Sequence, residues 1–249
     1  MECNIMAVTG NPVLHSLSPV LMNAASAVNN INYRYLRLTA ESAEEALSTF
    51  KMLHLCGMNV TAPYKHDIIP LIDKLTDNAA KADAVNCVYE RDGILYGDNT
   101  DITGVELSLK QYPEYIKQGK MLVIGSGGAS NAVIIAGQNI GLEVTVAARN
   151  QEALAVLKEK YNVATMSLQN IADIVNEYPI IVQALPSGAK VFDPSIITSH
   201  HVVLDANYKD SIFEEPSRKQ GFKFLSGRNW LVNQAVPAFK TFTGCNVDS

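Results

Sequence analysis

The run KMLVIG at residues 120–125, passing directly into GSGGASNA at 125–132, constrains this chain more than any other stretch. A short and almost wholly apolar segment is what a parallel strand covered on both faces presents. Glycines at its end let the chain turn sharply into a helix. The first N–H groups of that helix, with the positive end of its dipole, then suit the pyrophosphate of a dinucleotide. Gly125, Ser126, Gly127, Gly128 and Ala129 are therefore candidate cofactor contacts. The spacing departs from G-x-G-x-x-G because Ser130 stands in the third glycine's place. A tight strand-to-helix turn with no ligand would use the same residues.

The next strand helps to separate these readings. Dinucleotide folds that take NAD place an acid about 20 residues past the first glycine, for the ribose hydroxyls. Here that stretch is VAARN, residues 146–150. Ala147 and Ala148 offer no carboxylate to repel a 2′-phosphate, and Arg149 offers a guanidinium to hold one. The pattern leans to NADP as cofactor.

A length of 249 residues with 47% hydrophobic content suffices for one large domain or two ordinary ones. The net charge of -5, with lysines and arginines scattered, gives no basic field for nucleic acid or an anionic membrane and favours small-molecule chemistry. The four cysteines, Cys3, Cys56, Cys87 and Cys245, share no metal-ligand spacing, so they read as reduced thiols and no metal site is expected. The opening MECNIMAVTG lacks a signal peptide's basic start, and no uncharged apolar run spans a bilayer, so a soluble cytoplasmic protein is expected.

Apolar alternation predicts strands at 5–9, 33–38, 58–61 and 84–89 and helices at 19–29, 42–54 and 65–71, with Ser18 as N-cap before Pro19. This is the rhythm of an α/β domain with a largely parallel sheet. A second unit is expected to begin between Thr103 and Lys120. Its further strands are predicted at 143–147, 180–182, 201–204 and 223–225, and a last apolar helix at about 230–242.

Hydride transfer to or from an alcohol or ketone also needs a group that handles the oxygen's proton. The five histidines have no carboxylate partner by spacing. Lys65 is different: NVTAPYK, residues 59–65, delivers it just after a turn proline. GDNTDITG, residues 97–104, reads as a polar loop placed where α/β proteins bind ligands, with Asp101 available either as a functional acid or as a cap for the next helix.

GNPVLHSLSP, NVTAPYK, AVNC, GDNTD, GSGGAS and LVNQA, in this order along the whole chain, resemble the shikimate dehydrogenase family. The resemblance implies an α/β fold of two domains. One is a parallel-rich substrate domain over 1–103, completed by a C-terminal helix at 229–249; the other is a Rossmann-type NADP-binding domain over 104–228. It implies NADPH-dependent, reversible reduction of 3-dehydroshikimate to shikimate, in a cleft that closes on its ligand, by a monomer or homodimer. Carried over by position, Lys65 and Asp101 become the catalytic pair. Ser16 and Ser18 bind the substrate carboxylate, Thr61, Asn86 and Gln234 bind the ring hydroxyls, and Tyr208 lines the cleft. A quinate/shikimate dehydrogenase is the alternative within the family. A folate dehydrogenase would not require Ser16 and Ser18, and a non-catalytic relative would lose Lys65 and Asp101. Asp83 and Cys87 depart from the family's glycine and threonine, and Ala153 replaces a second arginine expected near the 2′-phosphate.

Overall fold

A computed structural model describes residues 4–186, 189 and 192–247. Two compact units emerge, Met1–Thr100 with Val232–Ser249, and Asp101–Leu231.

The first unit holds β1 (Asn4–Gly10), β2 (Tyr33–Thr39), β3 (Gly57–Val60), β4 (Lys74–Leu75), β5 (Cys87–Arg91) and β6 (Ile94–Asp98), with helices α1 (Ser18–Val28), α2 (Ala43–Met52) and α3 (Asp77–Ala82). Its sheet runs β2-β1-β3-β5-β6-β4. β1 is parallel to both neighbours and β4 to β6, whereas β5 is antiparallel to β3 and β6. The sheet is thus parallel-rich with a hairpin inserted. Asp92 and Gly93 turn that hairpin with φ of 53° and 75°, and Asp-Gly is the pair that favours positive φ at both turn positions. The strand expected at 84–89 accordingly starts later and runs on to Arg91.

Three other local expectations fail for identifiable reasons. The predicted helix at 65–71 is a series of turns with one short 3₁₀ stretch, Ile69–Leu71, because Pro70 lacks an N–H and disfavours helical geometry just before it. Residues 97–104 are not a loop. Gly97 and Asp98 finish β6 and Thr100 opens α4 (Thr100–Leu109), leaving Asn99 between them. Asp98 tolerates its strand position because the Thr76 hydroxyl and the Asn99 N–H donate to its carboxylate at 2.5 and 2.7 Å. Ser18 is not an N-cap: it lies within the helix, after Leu17, and caps no N–H with its side chain.

Edge strand β2 is guarded by Asn23 of α1, whose amide donates to the Tyr35 carbonyl and accepts from the Tyr35 N–H, both at 2.9 Å. Such masking discourages strand addition at a sheet edge. The end of α10 (Gly227–Thr243) belongs to this unit's core, where Ala235, Ala238, Phe239 and Phe242 are buried with Met6, Val8, Met22 and Tyr35. Gly57 lies directly against the Phe242 ring, and a Cβ at 57 would collide with it. Gly57→Ala is expected to destabilise the protein by about 1–3 kcal/mol, the usual cost of overpacking a filled core. Chemical denaturation would measure this, and unchanged stability would show that Phe242 is free to move.

The second unit is built on β7 (Lys120–Ile124), β8 (Glu143–Ala148), β9 (Ala164–Ser167), β10 (Ile180–Gln183), β11 (Val202–Asp205) and β12 (Lys223–Leu225). Helices α5 (Pro113–Ile116), α6 (Gly128–Asn139), α7 (Gln151–Tyr161), α8 (Ile171–Ile174) and α9 (Glu214–Gln220) intervene. The sheet order is β12-β11-β10-β7-β8-β9 with every pair parallel. That is the doubly wound arrangement, in which the strand order reverses between β7 and β10 and ligands bind beyond the strand ends at that point. Among the described residues no helix is long and apolar enough to cross a membrane.

Candidate active site

In the first unit the Lys65 turn is anchored from several sides. The Thr61 N–H donates to the Thr9 carbonyl at 2.9 Å. The buried Tyr64 hydroxyl donates to the Ala40 carbonyl at 2.6 Å, and Ile68 is wholly buried. The Lys65 carbonyl accepts the Val85 N–H at 2.7 Å, which fixes the lysine backbone one residue from Asn86. The Lys65 side chain is half-buried, as is Thr61.

Asn86 lies in a buried polar chain. Its Oδ1 accepts the Thr100 N–H at 2.8 Å and its Nδ2 donates to Thr100 Oγ1 at 3.1 Å. Thr100 Oγ1 in turn lies 3.2 Å from Gln234 Oε1, to which its hydroxyl can donate. Behind Asn86, Asn59 Nδ2 donates to the Asn86 carbonyl at 3.0 Å, and the Tyr35 hydroxyl donates to Asn59 Oδ1 at 2.6 Å. Burial, reinforced by Cys87, pushes the Tyr35 phenol well above the ordinary tyrosine range, so it keeps its proton as a donor. Two of the expected substrate contacts, Asn86 and Gln234, are thereby brought together, each less than a tenth exposed. Tyr35, Asn59 and Thr100 escaped the sequence reading. Asn59 and Thr100 stand inside the quoted motifs, but only the pairing of β3 with β5 and the turn into α4 reveals their partners. Asp101 follows Thr100 in the first turn of α4 and is half-buried.

Ser16 and Ser18 also come together. The Ser16 hydroxyl donates to Ser18 Oγ at 3.2 Å and accepts the Ser18 N–H at 3.3 Å. Both hydroxyls sit where the chain enters α1, an eleven-residue helix with no acid in its first turn. A carboxylate would be favoured there.

Of the histidines, His66 comes within 3.6 Å of Asp83, a pair that spacing did not reveal. Both side chains are largely exposed, and such a contact contributes little. Asp83 adopts φ of 53°, ψ of 41° at the end of α3; aspartate visits this left-handed region more readily than most residues, so it fits in the glycine's place. Among the described residues Cys56, Cys87 and Cys245 are not joined in disulfides, while Cys3 lies outside the described residues. Among the described residues no cluster could hold a metal ion.

In the second unit, Gly125 leaves β7 with φ of +119°, and a Cβ there would lie 3.1 Å from the Ala184 carbonyl oxygen beyond β10. At Gly127 and Gly128 an added Cβ would meet nothing within 4 Å. The backbone at the start of α6, a twelve-residue helix with no acid in its first turn, is thus open to an approaching group. Ser130 has its own task in place of a glycine: fully buried, it donates from Oγ to the Gly125 carbonyl at 2.9 Å. Ser126 and Ala129 belong to the same turn. This cradle fits a pyrophosphate at the sheet's switch point. Arg149 is exposed just past β8, and Asn150 caps α7 by accepting the Ala153 N–H at 3.1 Å.

Tyr208 is half-buried in a loop held by Asp205, a fully buried residue. The Asp205 carboxylate accepts the Asn207 N–H at 3.0 Å, Asn207 Nδ2 at 2.9 Å and the Ser211 hydroxyl at 2.6 Å. Asn207 Nδ2 also donates to the Leu185 carbonyl at 2.8 Å, joining the exits of β10 and β11. The neighbouring Ser187 and Gly188 lie outside the described residues.

Comparison with known proteins agrees with this layout. Residues 8–88 match the family described as shikimate dehydrogenase substrate binding domain, and residues 106–204 match shikimate / quinate 5-dehydrogenase. A relative from Aquifex aeolicus named shikimate dehydrogenase (NADP(+)) is 36% identical over 253 residues, 99% of this chain and 93% of the relative. A crystal structure of shikimate dehydrogenase from Aquifex aeolicus superposes with a TM-score of 0.93 at 34% identity, over 99% of this chain and 94% of the other. Quinate dehydrogenase from Corynebacterium glutamicum, solved in complex with NAD, gives a TM-score of 0.90 at 26% identity, over 99% and 95%. Both family descriptions, a relative 36% identical over 99% of this chain and a superposition at a TM-score of 0.93 point the same way, and the chain belongs to the shikimate dehydrogenase family.

Proposed function

We propose that this chain is an NADP-dependent oxidoreductase that interconverts 3-dehydroshikimate and shikimate, a step of aromatic amino acid biosynthesis. The observation that carries the reading is the buried chain from Asn86 through Thr100 to Gln234 beside the anchored Lys65 turn, in a chain 36% identical to a named NADP-dependent shikimate dehydrogenase. Bound NADP(H) supplies hydride in one direction and accepts it in the other. Gly125, Ser126, Gly127, Gly128 and Ala129 would hold its pyrophosphate, and Arg149 its 2′-phosphate.

The protein's own chemistry concerns the oxygen. When the ketone is reduced, its oxygen must gain a proton as carbon gains hydride; oxidation of the alcohol reverses both. Lys65 gives and takes that proton, and Asp101 orients the lysine and bonds the same oxygen. Thr61, Asn86 and Gln234 hold the ring hydroxyls. Preformed bonds to Thr100 keep the two amides aimed without reorganisation, which is how fixed dipoles aid a reaction. Ser16 and Ser18 take the carboxylate, and Tyr208, on its Asp205-held loop, is a further substrate-lining residue.

Formation of reduced nicotinamide, followed by its absorbance with shikimate or quinate and with NADP or NAD, tests the assignment. Shikimate with NADP is the expected best pair. Preference for quinate with NAD would move the chain to the quinate branch of the family, and no turnover with either acid would contradict the reading. Ser16→Ala is expected to raise the KM for shikimate about tenfold, the scale of one lost hydrogen bond to a charged group, with kcat nearly unchanged. A loss confined to kcat would remove Ser16 from carboxylate binding.

A further inference from the structure

Arg37 has no part in the assignments above, yet its guanidinium reaches the backbone of Ser16, one of the two serines. From β2 it donates through both Nε and Nη2 to a single acceptor, the Ser16 backbone carbonyl, at 3.0 and 2.6 Å. Ser16 is the residue whose hydroxyl is bonded to Ser18. A guanidinium carries five N–H donors in a rigid fork, so two bonds to one carbonyl leave three for another acceptor. Arg37 is exposed.

Charge gives this placement meaning. The chain carries a net charge of -5, a field that opposes an incoming carboxylate. Serine hydroxyls and a helix start offer dipoles but no full positive charge. A fixed cation on the serine segment supplies one, and a lining of one sign raises the local concentration of an oppositely charged ligand. A simple staple for the loop would need only a hydrogen-bond donor; arginine supplies a persistent charge as well.

We propose that Arg37 is a specificity-determining residue for the substrate's carboxylate, holding the Ser16 segment in position and providing the positive charge of that subsite. The inference rests on the proposed function of the same site. Its ligand class is a small cyclic monocarboxylate, and the neutral ester of such an acid should be indifferent to the charge.

Calorimetric titration of the intact protein with shikimate at low and high ionic strength tests this without relying on turnover. Arg37→Gln, which keeps donors and loses the charge, is expected to weaken shikimate binding about tenfold, the range of a charge-assisted contact. It should also flatten the salt dependence, while Arg37→Lys retains that dependence. In kinetics the loss should fall on the KM for shikimate, with kcat and the KM for NADP nearly unchanged, and methyl shikimate should bind equally to all three proteins. Equal shikimate affinity and equal salt response in Arg37→Gln would overturn the proposal. So would equal losses in Gln and Lys variants with the salt response intact, which would leave Arg37 a structural staple. Failure of the unaltered protein to bind shikimate would instead overturn the functional reading, and this inference with it.

Discussion

Lys65→Ala is expected to lower kcat by about 10²-fold or more, the lower end of what a positioned general acid–base contributes. The effect on shikimate binding should be smaller, because the residue acts mainly as the oxygen changes its proton. The folded state should survive. The Lys65 turn is held by the Tyr64 hydroxyl bond to Ala40, by Ile68 in the core and by the Lys65 carbonyl bond to Val85, none of which involves the lysine side chain. Steady-state kinetics on a variant with unchanged melting temperature would isolate the chemical role. Undiminished turnover would remove Lys65 from the proton transfer.

Arg149→Asp should have the second largest effect, and it should fall on the cofactor. The change removes a cation and adds an anion at the point where β8 ends in two buried alanines. A 2′-phosphate there would lose an attraction and meet a repulsion. If each contributes about 1.4 kcal/mol, kcat/KM with NADP falls about 10²-fold. NAD carries no such phosphate, and the new carboxylate can accept its ribose hydroxyls, so kcat/KM with NAD should hold or rise. Equal losses with both cofactors would mean that Arg149 does not read the phosphate.

Much of the architecture was legible because burial leaves a signature in sequence. KMLVI is buried along nearly its whole length as β7, and the glycines after it lie at the switch point of an all-parallel sheet. The hairpin of β5 and β6 is legible in principle from Asp92-Gly93, but the surrounding βαβ rhythm hides it. Residues 97–104 mislead because so polar a composition reads as a loop, whereas the stretch ends β6 and opens α4. In fact Asp98 is satisfied by Thr76, some twenty positions away in the chain, and no local pattern announces such a bond. The same holds within the site. Family motifs pointed to Asn86 and Gln234, whereas Thr100, which joins them, and Tyr35 and Asn59, which stand behind them, depend on strand register. Arg37 is the extreme case, an arginine in an exposed edge strand whose partner is a backbone carbonyl 21 residues earlier.

In the proposed mechanism Lys65 and Asp101 act on one oxygen of the ring. A crystal structure of the protein with shikimate bound tests it most directly. The expected result places the Lys65 Nζ and an Asp101 carboxylate oxygen each within about 3 Å of the same ring hydroxyl, the ordinary span of a hydrogen bond. Shikimate bound with that hydroxyl contacting neither side chain would contradict the account.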